Sequence, residues 1–190
     1  MTVSAHRSLP RRQLLAASAG ALVFALPNAQ GGSRRVILQR GMSGGGLAQL
    51  DGGDEPRLAN FGLFASSLQL PDGTTLVVGR IQWIEAGADF QLEATEVTQC
   101  IPIADRSDGA EVRGRMQVNG EGNYPFVIRA IDGGRPGSAL DRIEVEVNTE
   151  LAREGASGDA SDDAFTYEAA GNIVAGDFQW VISDIEMDAP

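Results

Sequence analysis

Apolar and polar residues alternate along most of the chain with a period of two, which is typical of half-buried β-strands. In AEVRGRMQVN, Val112, Met116 and Val118 share one face with a glycine, and charged or polar side chains occupy the other face. The segment DRIEVEVN alternates in the same way, and similar runs occur in TTLVVGRIQWIE, DFQLEATEVTQ and AGDFQWVISDI. No long segment has apolar residues at helical spacing. The pattern predicts an all-β protein.

The number of these runs predicts about eight strands, because RRVILQ, NFGLFASSLQL and residues 124–131 also have the composition of strands. In DFQLEATEVTQ the alternation slips at Glu96 and Val97, which indicates a β-bulge. Only NTELAREGAS has room for a short helical turn. Such a set of strands is typical of an antiparallel β-sandwich, or of a partly open barrel.

The segment VNGEGNYPFVIRAIDGGRPG has two glycine-marked turns around one short apolar strand. Asn119-Gly120 is a strong signal for a two-residue hairpin, because both residues tolerate the positive φ of a type I′ turn. In DGGRPG the glycines supply unusual φ values, and Asp132 can bond nearby backbone amides. We interpret the segment as part of a three-strand meander. The residues predicted to shape its turns are Asn119, Gly120, Asp132, Gly134, Pro136 and Gly137.

Residues 1–31 have the layout of a cleavable secretory signal helix. Basic residues, among them Arg11 and Arg12, precede an uncharged stretch over residues 13–26, and small residues follow. The apolar stretch is shorter than the ~20 residues that a membrane-spanning helix needs. The pair Arg11-Arg12 followed by QLL resembles a twin-arginine signal. That resemblance implies that the protein folds before it is translocated.

Removal of the signal leaves residues 32–190, which are enough for one β-sandwich domain with a core over about residues 41–183. We expect this domain to be periplasmic, at the cell surface or extracellular, with no membrane insertion of its own. Its one cysteine, Cys100, cannot form an intramolecular disulfide. Its stability must therefore come from an ordinary hydrophobic core.

The composition of residues 32–190 excludes several kinds of chemistry. The segment contains no lysine and no histidine, since the single histidine is His6 and all fifteen Lys+Arg residues are arginines. It cannot use a Ser-His-Asp or Cys-His mechanism, a lysine Schiff base or a histidine zinc site. Twelve arginines against 26 acidic residues give the segment a net charge of −14. This charge argues against nucleic acids and anionic membranes as partners.

The central motif resembles small β-domains of unknown activity in exported and surface proteins of bacteria. Its pattern is VNGxGxYxF followed by DxGxPGxxxD, and the flanking segments GGG, FG and GNIVAGDFQW are similar as well. The motif positions are Gly114, Val118, Asn119, Gly120, Gly122, Tyr124, Phe126, Ile128, Asp132, Gly134, Pro136, Gly137, Asp141, Ile143, Val145 and Val147. The resemblance implies a β-domain and supplies no catalytic residues.

Calcium is the one cofactor that the sequence suggests. Asp132 and Asp141 are the candidate ligands, because paired carboxylates beside a glycine-rich loop can hold this ion. Alternatively, Asp132 caps the turn and Asp141 pairs with Arg129, Arg135 or Arg142. We favour this alternative, because the alternating oxygen ligands of a dedicated calcium loop are missing. The acidic segment GASGDASDDAF lacks EF-hand spacing and is interpreted as a solvated loop.

Two tryptophans and the cysteine also invite functional interpretations. Trp83 and Trp180 could stack on sugar rings if they faced solvent, but each lies in an alternating strand, so core packing is favoured. Cys100 is interpreted as a small buried side chain, since no histidine is present to activate it. The sequence therefore predicts no catalytic residue here.

The acid pairs Glu93/Glu96 and Glu144/Glu146 suggest a glycosidase, which needs two carboxyl groups about 5–10 Å apart in a cleft. By the alternation, Glu144 and Glu146 point outward, where solvent or arginine would satisfy them.

Three hypotheses follow. The favoured one is a non-enzymatic exported module that binds an envelope protein or glycan, or has a structural role. The second is a calcium- or small-ligand-binding protein that uses its acidic loops. The third is a carboxylate-dependent glycan hydrolase.

Overall fold

The computed structural model describes residues 38–53, 55–70, 72–134, 141–154 and 165–183. All of them belong to the second of the two units into which the chain divides, Ser33–Pro190. Several sequence predictions lie outside the described residues: the signal with Arg11 and Arg12, the turn residues Pro136 and Gly137, Arg135, and most of the acidic segment GASGDASDDAF.

Eight antiparallel strands close into a barrel in which each strand pairs with its neighbours in sequence and the last strand pairs with the first. The all-β antiparallel prediction with about eight strands is confirmed, and the sheet is fully closed. The strands are β1 (Leu38–Leu50), β2 (Arg57–Gln69), β3 (Thr75–Glu85), β4 (Gln91–Pro102), β5 (Gly109–Val118), β6 (Glu121–Ile131), β7 (Arg142–Val147) and β8 (Tyr167–Ser183), with a helix, α1 (Glu150–Glu154), between the last two.

Alternate residues of every strand point into the lumen and form one hydrophobic core. Trp83, Phe126 and Phe178 are among the largest side chains that are fully buried in it. The prediction that Trp83 packs in the core is therefore confirmed. The helix α1, which NTELAREGAS predicted, lies against β6, and its Ala152 is buried.

Glycines let β1 and β8 approach closely where the barrel closes. A Cβ on Gly46 would overlap the carbonyl oxygen of Ala175, and one on Gly176 would overlap the carbonyl oxygen of Gly45. The register between these strands shifts beside this point, at Leu47/Ala48. The segment GGG is thus part of the seam between β1 and β8.

Two local predictions correspond to irregularities in the ladder. The pairing of β4 with β5 shifts register between Ala94 and Glu96 and again after Val97, which confirms the bulge. Asn119 and Gly120 join β5 to β6 with φ values of 52° and 82°. The Asn119 side chain accepts a hydrogen bond from the Gln91 amide at 2.8 Å, so the turn also ties down the start of β4.

Candidate functional site

One end of the barrel contains a cavity of about 500 Å³, which we call the mouth pocket. It lies where β1 and β3 begin and where β2 and β4 end. Apolar and uncharged polar side chains form most of its wall, and one lining residue is charged. The lining residues are Leu38, Arg40, Ser67, Gln69, Thr75, Val77, Thr98, Gln99, Cys100 and Ile101.

Arg40 is the charged residue of the mouth pocket, and strand alternation directs it into the lumen. It lies two residues before Met42, which is a core residue with 1% exposure. Its cross-strand neighbours are Ser67 on β2 and Ile182 on β8. Residues directly opposite in an antiparallel pair share a face. The inward neighbours of Arg40 on both adjacent strands are therefore uncharged.

The guanidinium of Arg40 is only partly satisfied within the described residues. Its Nε is buried and has no hydrogen-bond partner there, and no ion pair of Arg40 is found among them. A buried donor without an acceptor costs about 1–3 kcal/mol, and more when the group is charged. An arginine side chain cannot relieve this cost by losing its proton, because a guanidinium stays protonated in proteins. Among the described residues, Arg40 Nε is thus a buried donor without an acceptor.

Cys100 contributes apolar surface to the pocket. It is 2% exposed, and its Sγ lies 3.6 Å from the carbonyl oxygen of Ala65. Burial raises the pKa of the Cys100 thiol to about 11. The thiol is therefore protonated at neutral pH and is a poor nucleophile. Its burial agrees with the interpretation of Cys100 as a core side chain.

The opposite end of the barrel is packed with aromatic rings and a hydrogen-bonded charge. The ring centroids of Phe90 and Tyr167 are 4.7 Å apart. The Tyr167 hydroxyl donates to Glu85 Oε1 at 2.5 Å and accepts a hydrogen bond from Trp83 Nε1 at 2.9 Å. Arg57 Nη2 donates to both oxygens of Glu85, at 2.6 and 2.8 Å. The inward charge at this end has its partners, in contrast to Arg40.

The electrostatics of this network follow from those contacts. Burial alone would raise the pKa of Glu85, but the hydrogen bonds from Arg57 and Tyr167 outweigh it and lower the pKa below its ordinary value. The pKa of Tyr167 is strongly raised, chiefly by burial and then by its hydrogen bond to Glu85. Glu85 is therefore a carboxylate and Tyr167 a neutral phenol at neutral pH, which suits a structural network.

The calcium candidates tie down the loop after β6. Asp132 Oδ1 accepts a hydrogen bond from the Gly134 amide at 2.7 Å, which is the predicted turn cap, and its Oδ2 accepts one from the Trp180 amide at 3.2 Å. Asp141 is fully buried, and its Oδ1 accepts a hydrogen bond from the Gly133 amide at 2.7 Å. Both aspartates thus hold backbone amides of one loop.

A third carboxylate, Asp177, lies near this pair. Its pKa is raised, first by burial and then by the charge and hydrogen bond of Asp141, with a smaller contribution from Asp132. Among the residues that the structure describes, no group of three or more His, Cys, Asp or Glu side chains is arranged to hold a metal ion. Calcium binding at Asp132 and Asp141 stays a hypothesis.

The glutamate pairs lie beside arginines on the outside of the barrel. Arg129 Nη1 is 4.0 Å from Glu144 and 3.7 Å from Glu146. Arg80 Nη2 is 3.9 Å from Glu93, and both side chains are well exposed. These contacts agree with the interpretation of the acid pairs as surface groups with arginine partners.

The candidate site was missed because sequence reasoning ended the first strand before its most informative part. Leu38, Arg40 and Met42 alternate within LQRGM, so an arginine stands at an inward position between two apolar residues. That spacing was a usable signal. The sequence could not show that uncharged residues lie opposite Arg40, because those residues are known only once the pairing of β1 with β2 and β8 is known.

Comparison with known proteins gives no relative: no family model, no curated protein and no solved structure matches the chain. Over the ranges that the structure describes, no helix has the length and apolar character needed to cross a membrane.

Proposed function

We propose that this chain is an exported, non-enzymatic protein that binds a small molecule in the mouth pocket. The cavity of about 500 Å³ at one end of the barrel carries the proposal. Eight-stranded barrels have interiors that either fill with side chains or hold one small ligand. The volume lies within the usual range of ligand pockets, about 300–1,000 Å³. We therefore propose the barrel mouth as the ligand site in preference to the acidic loops.

The chemistry of the lining supports binding over catalysis. The pocket combines apolar surface from Leu38, Val77 and Ile101 with hydroxyl and amide groups, a mixture typical of binding sites. Its thiol, Cys100, has a raised pKa. No lysine or histidine is available after the signal. These residues can hold and orient a molecule, but none of them is an activated nucleophile or a general base.

A neutral apolar dye, N-phenyl-1-naphthylamine, tests the proposal with the purified protein lacking residues 1–31. We expect saturable binding of one dye per chain, seen as a rise in dye fluorescence. Ser67→Phe should abolish binding, because Ser67 lines the pocket and a phenyl group would fill it. Gln82→Phe is the control, since Gln82 is exposed on the same barrel away from the pocket lining.

The two variants separate pocket binding from adhesion to the surface. Dye binding that survives Ser67→Phe, or that is lost equally in Gln82→Phe, would show that the mouth pocket is not the site. Absence of any saturable binding would count against the proposed function itself. An envelope protein or glycan as partner, and a structural role, stay as competing predictions.

A further inference from the structure

We infer that the ligand of the mouth pocket carries an oxyanion head group, a carboxylate or a phosphate, that accepts hydrogen bonds from Arg40, together with an apolar body. This inference rests on the proposed function and specifies the ligand class. It follows from the placement of Arg40 and from the composition of the wall around it.

Arg40 differs from most of the described arginines in its surroundings. Six described arginines form ion pairs with acids: Arg57, Arg80, Arg106, Arg113, Arg129 and Arg142. Arg40 forms none within the described chain, although it points into the lumen and its Nε is buried. Buried charges are normally paired, because desolvation without a partner is costly. An arginine kept in this state is explained if the partner arrives with the ligand.

The head group should be an anion and not only a polar acceptor. A hydrogen bond between guanidinium and carboxylate or phosphate is roughly twice as strong as a neutral one. Arg40 is the one charged residue among the described lining residues, so no acid inside the pocket competes with the ligand. The negative charge of the whole protein acts mainly from its outer surface, and it is screened over ~8 Å at physiological ionic strength.

The rest of the wall suits an apolar body. Leu38 and Val77 point inward from β1 and β3, and Cys100 adds the apolar surface of a protonated thiol. Ile101 adds apolar surface at the pocket and is 44% exposed. A ligand with its head at Arg40 and its chain along these residues would satisfy the donor and cover apolar surface at once.

Displacement of the neutral dye by three eight-carbon probes tests the inference: octanoate, octyl phosphate and 1-octanol. We expect the anions to displace the dye from the wild-type protein at lower concentration than octanol does. Measured relative to octanol on the same variant, Arg40→Met should weaken displacement by at least one of the anions about tenfold or more. Arg80→Met is the matched control, because Arg80 has 80% of its side chain exposed on the outer surface.

Two further measurements exclude a purely structural role for Arg40. The ligand-free Arg40→Met protein should melt no lower than wild type, because the substitution removes an unpaired and partly buried charge. Arg40→Lys keeps the charge but loses the planar guanidinium, so it should bind the anions with intermediate affinity. These variants keep the inference testable if Arg40→Met should fail to fold.

Each outcome decides something. If both or either of the anions displaces the dye better than octanol and Arg40→Met weakens that advantage, the inference is supported, and a difference between octanoate and octyl phosphate identifies the preferred head group. If the dye binds but the anions compete no better than octanol, or if Arg40→Met leaves them unchanged, the oxyanion inference is overturned and the proposed pocket stands. If the dye does not bind the wild-type protein, the proposed function fails and the inference fails with it.

Discussion

Arg40 and Glu85 are inward-facing charges at opposite ends of one lumen, and they differ in their hydrogen-bond partners. Glu85 has bonds from Arg57 and Tyr167, and Tyr167 in turn satisfies the indole N–H of Trp83. Both carboxylate oxygens of Glu85, the Tyr167 hydroxyl and the Trp83 indole N–H have partners, and such pairing is the condition under which a buried charge is tolerated. Arg40 lacks such partners within the described chain. The contrast separates a charge that holds the fold together from one that is available to a ligand.

Glu85→Gln should lower the free energy of unfolding by about 1–2 kcal/mol near neutral pH, because it removes the carboxylate that Arg57 and Tyr167 bind. The expected change in the free energy of unfolding is no larger because the Arg57 side chain is half exposed, and solvent screens its attraction to Glu85. Urea unfolding of both proteins measures it. Glu93→Gln is the control, since Glu93 is 48% exposed and 3.9 Å from Arg80, and we expect less than about 0.5 kcal/mol there.

The same pair of proteins gives a test by pH. The pKa of Glu85 is lowered by folding, so its contribution is present above the ordinary pKa of about 4 and is lost as the pH falls through the folded value. The stability gap between wild type and Glu85→Gln should therefore be largest above about pH 5 and shrink in acid. A gap that stays constant down to about pH 3 would mean that the network does not act through the charge of Glu85.

At the scale of strands, the seam between β1 and β8 depends on glycine. Gly46 faces Gly176 across the pair, and the two backbones are too close for a side chain between them. Gly171 on β8 is constrained in the same way by the carbonyl oxygen of Gln49. These residues carry no chemistry. They are what allows the first and last strands to meet.

Gly46→Ala should destabilise the protein by about 1–3 kcal/mol, because the new methyl group would overlap the backbone of Ala175. Gly62→Ala is the matched control: it lies within β2, and a Cβ there meets nothing within 4 Å. We expect it to change the free energy of unfolding by less than about 1 kcal/mol, because alanine fits this site and restricts the unfolded chain more than glycine does. Equal losses in the two variants would refute the role assigned to the seam.

Strand alternation made most of the sheet predictable from sequence, but the two closing strands were underestimated. The sequence runs RRVILQ and AGDFQWVISDI predict two short strands, whereas β1 extends to Leu50 and β8 begins at Tyr167. Their missing parts are rich in glycine and alanine, which give no period-two signal and are present because the backbones approach closely. The mouth pocket was also not predictable, because residues from four strands form its wall and the sequence alone does not show how those strands pair.

At the scale of the molecule, the closure of the barrel makes folding a property of nearly the whole chain. The first strand begins at Leu38 and pairs with a strand that ends at Ser183, so the closing contacts are far apart in sequence. Contacts between residues far apart in sequence form slowly, because the chain must lose the entropy of closing a long loop before strand pairing stabilises it. The one cysteine is buried, so no disulfide is required from an oxidising compartment. A chain of this design can therefore complete its fold in a reducing compartment.

That property leads to a prediction about the export signal. The resemblance of Arg11-Arg12-QLL to a twin-arginine signal implies a route that accepts folded proteins and reads the arginine pair itself. Arg11→Lys together with Arg12→Lys should therefore block export although the charge is unchanged. The protein should then accumulate inside the cell as a folded barrel. Cell fractionation, with dye binding as the measure of folding, checks both points.

Arg7→Lys provides the control, because it makes the same chemical change in the basic region but outside the pair. We expect this variant to be exported and processed like the wild type. Export of the doubly substituted protein at the wild-type level would show that a general secretory route handles the chain. In that case the barrel would have to close after translocation. Folding would then follow export and not precede it. The prediction that the protein lies outside the cytoplasm would be unaffected.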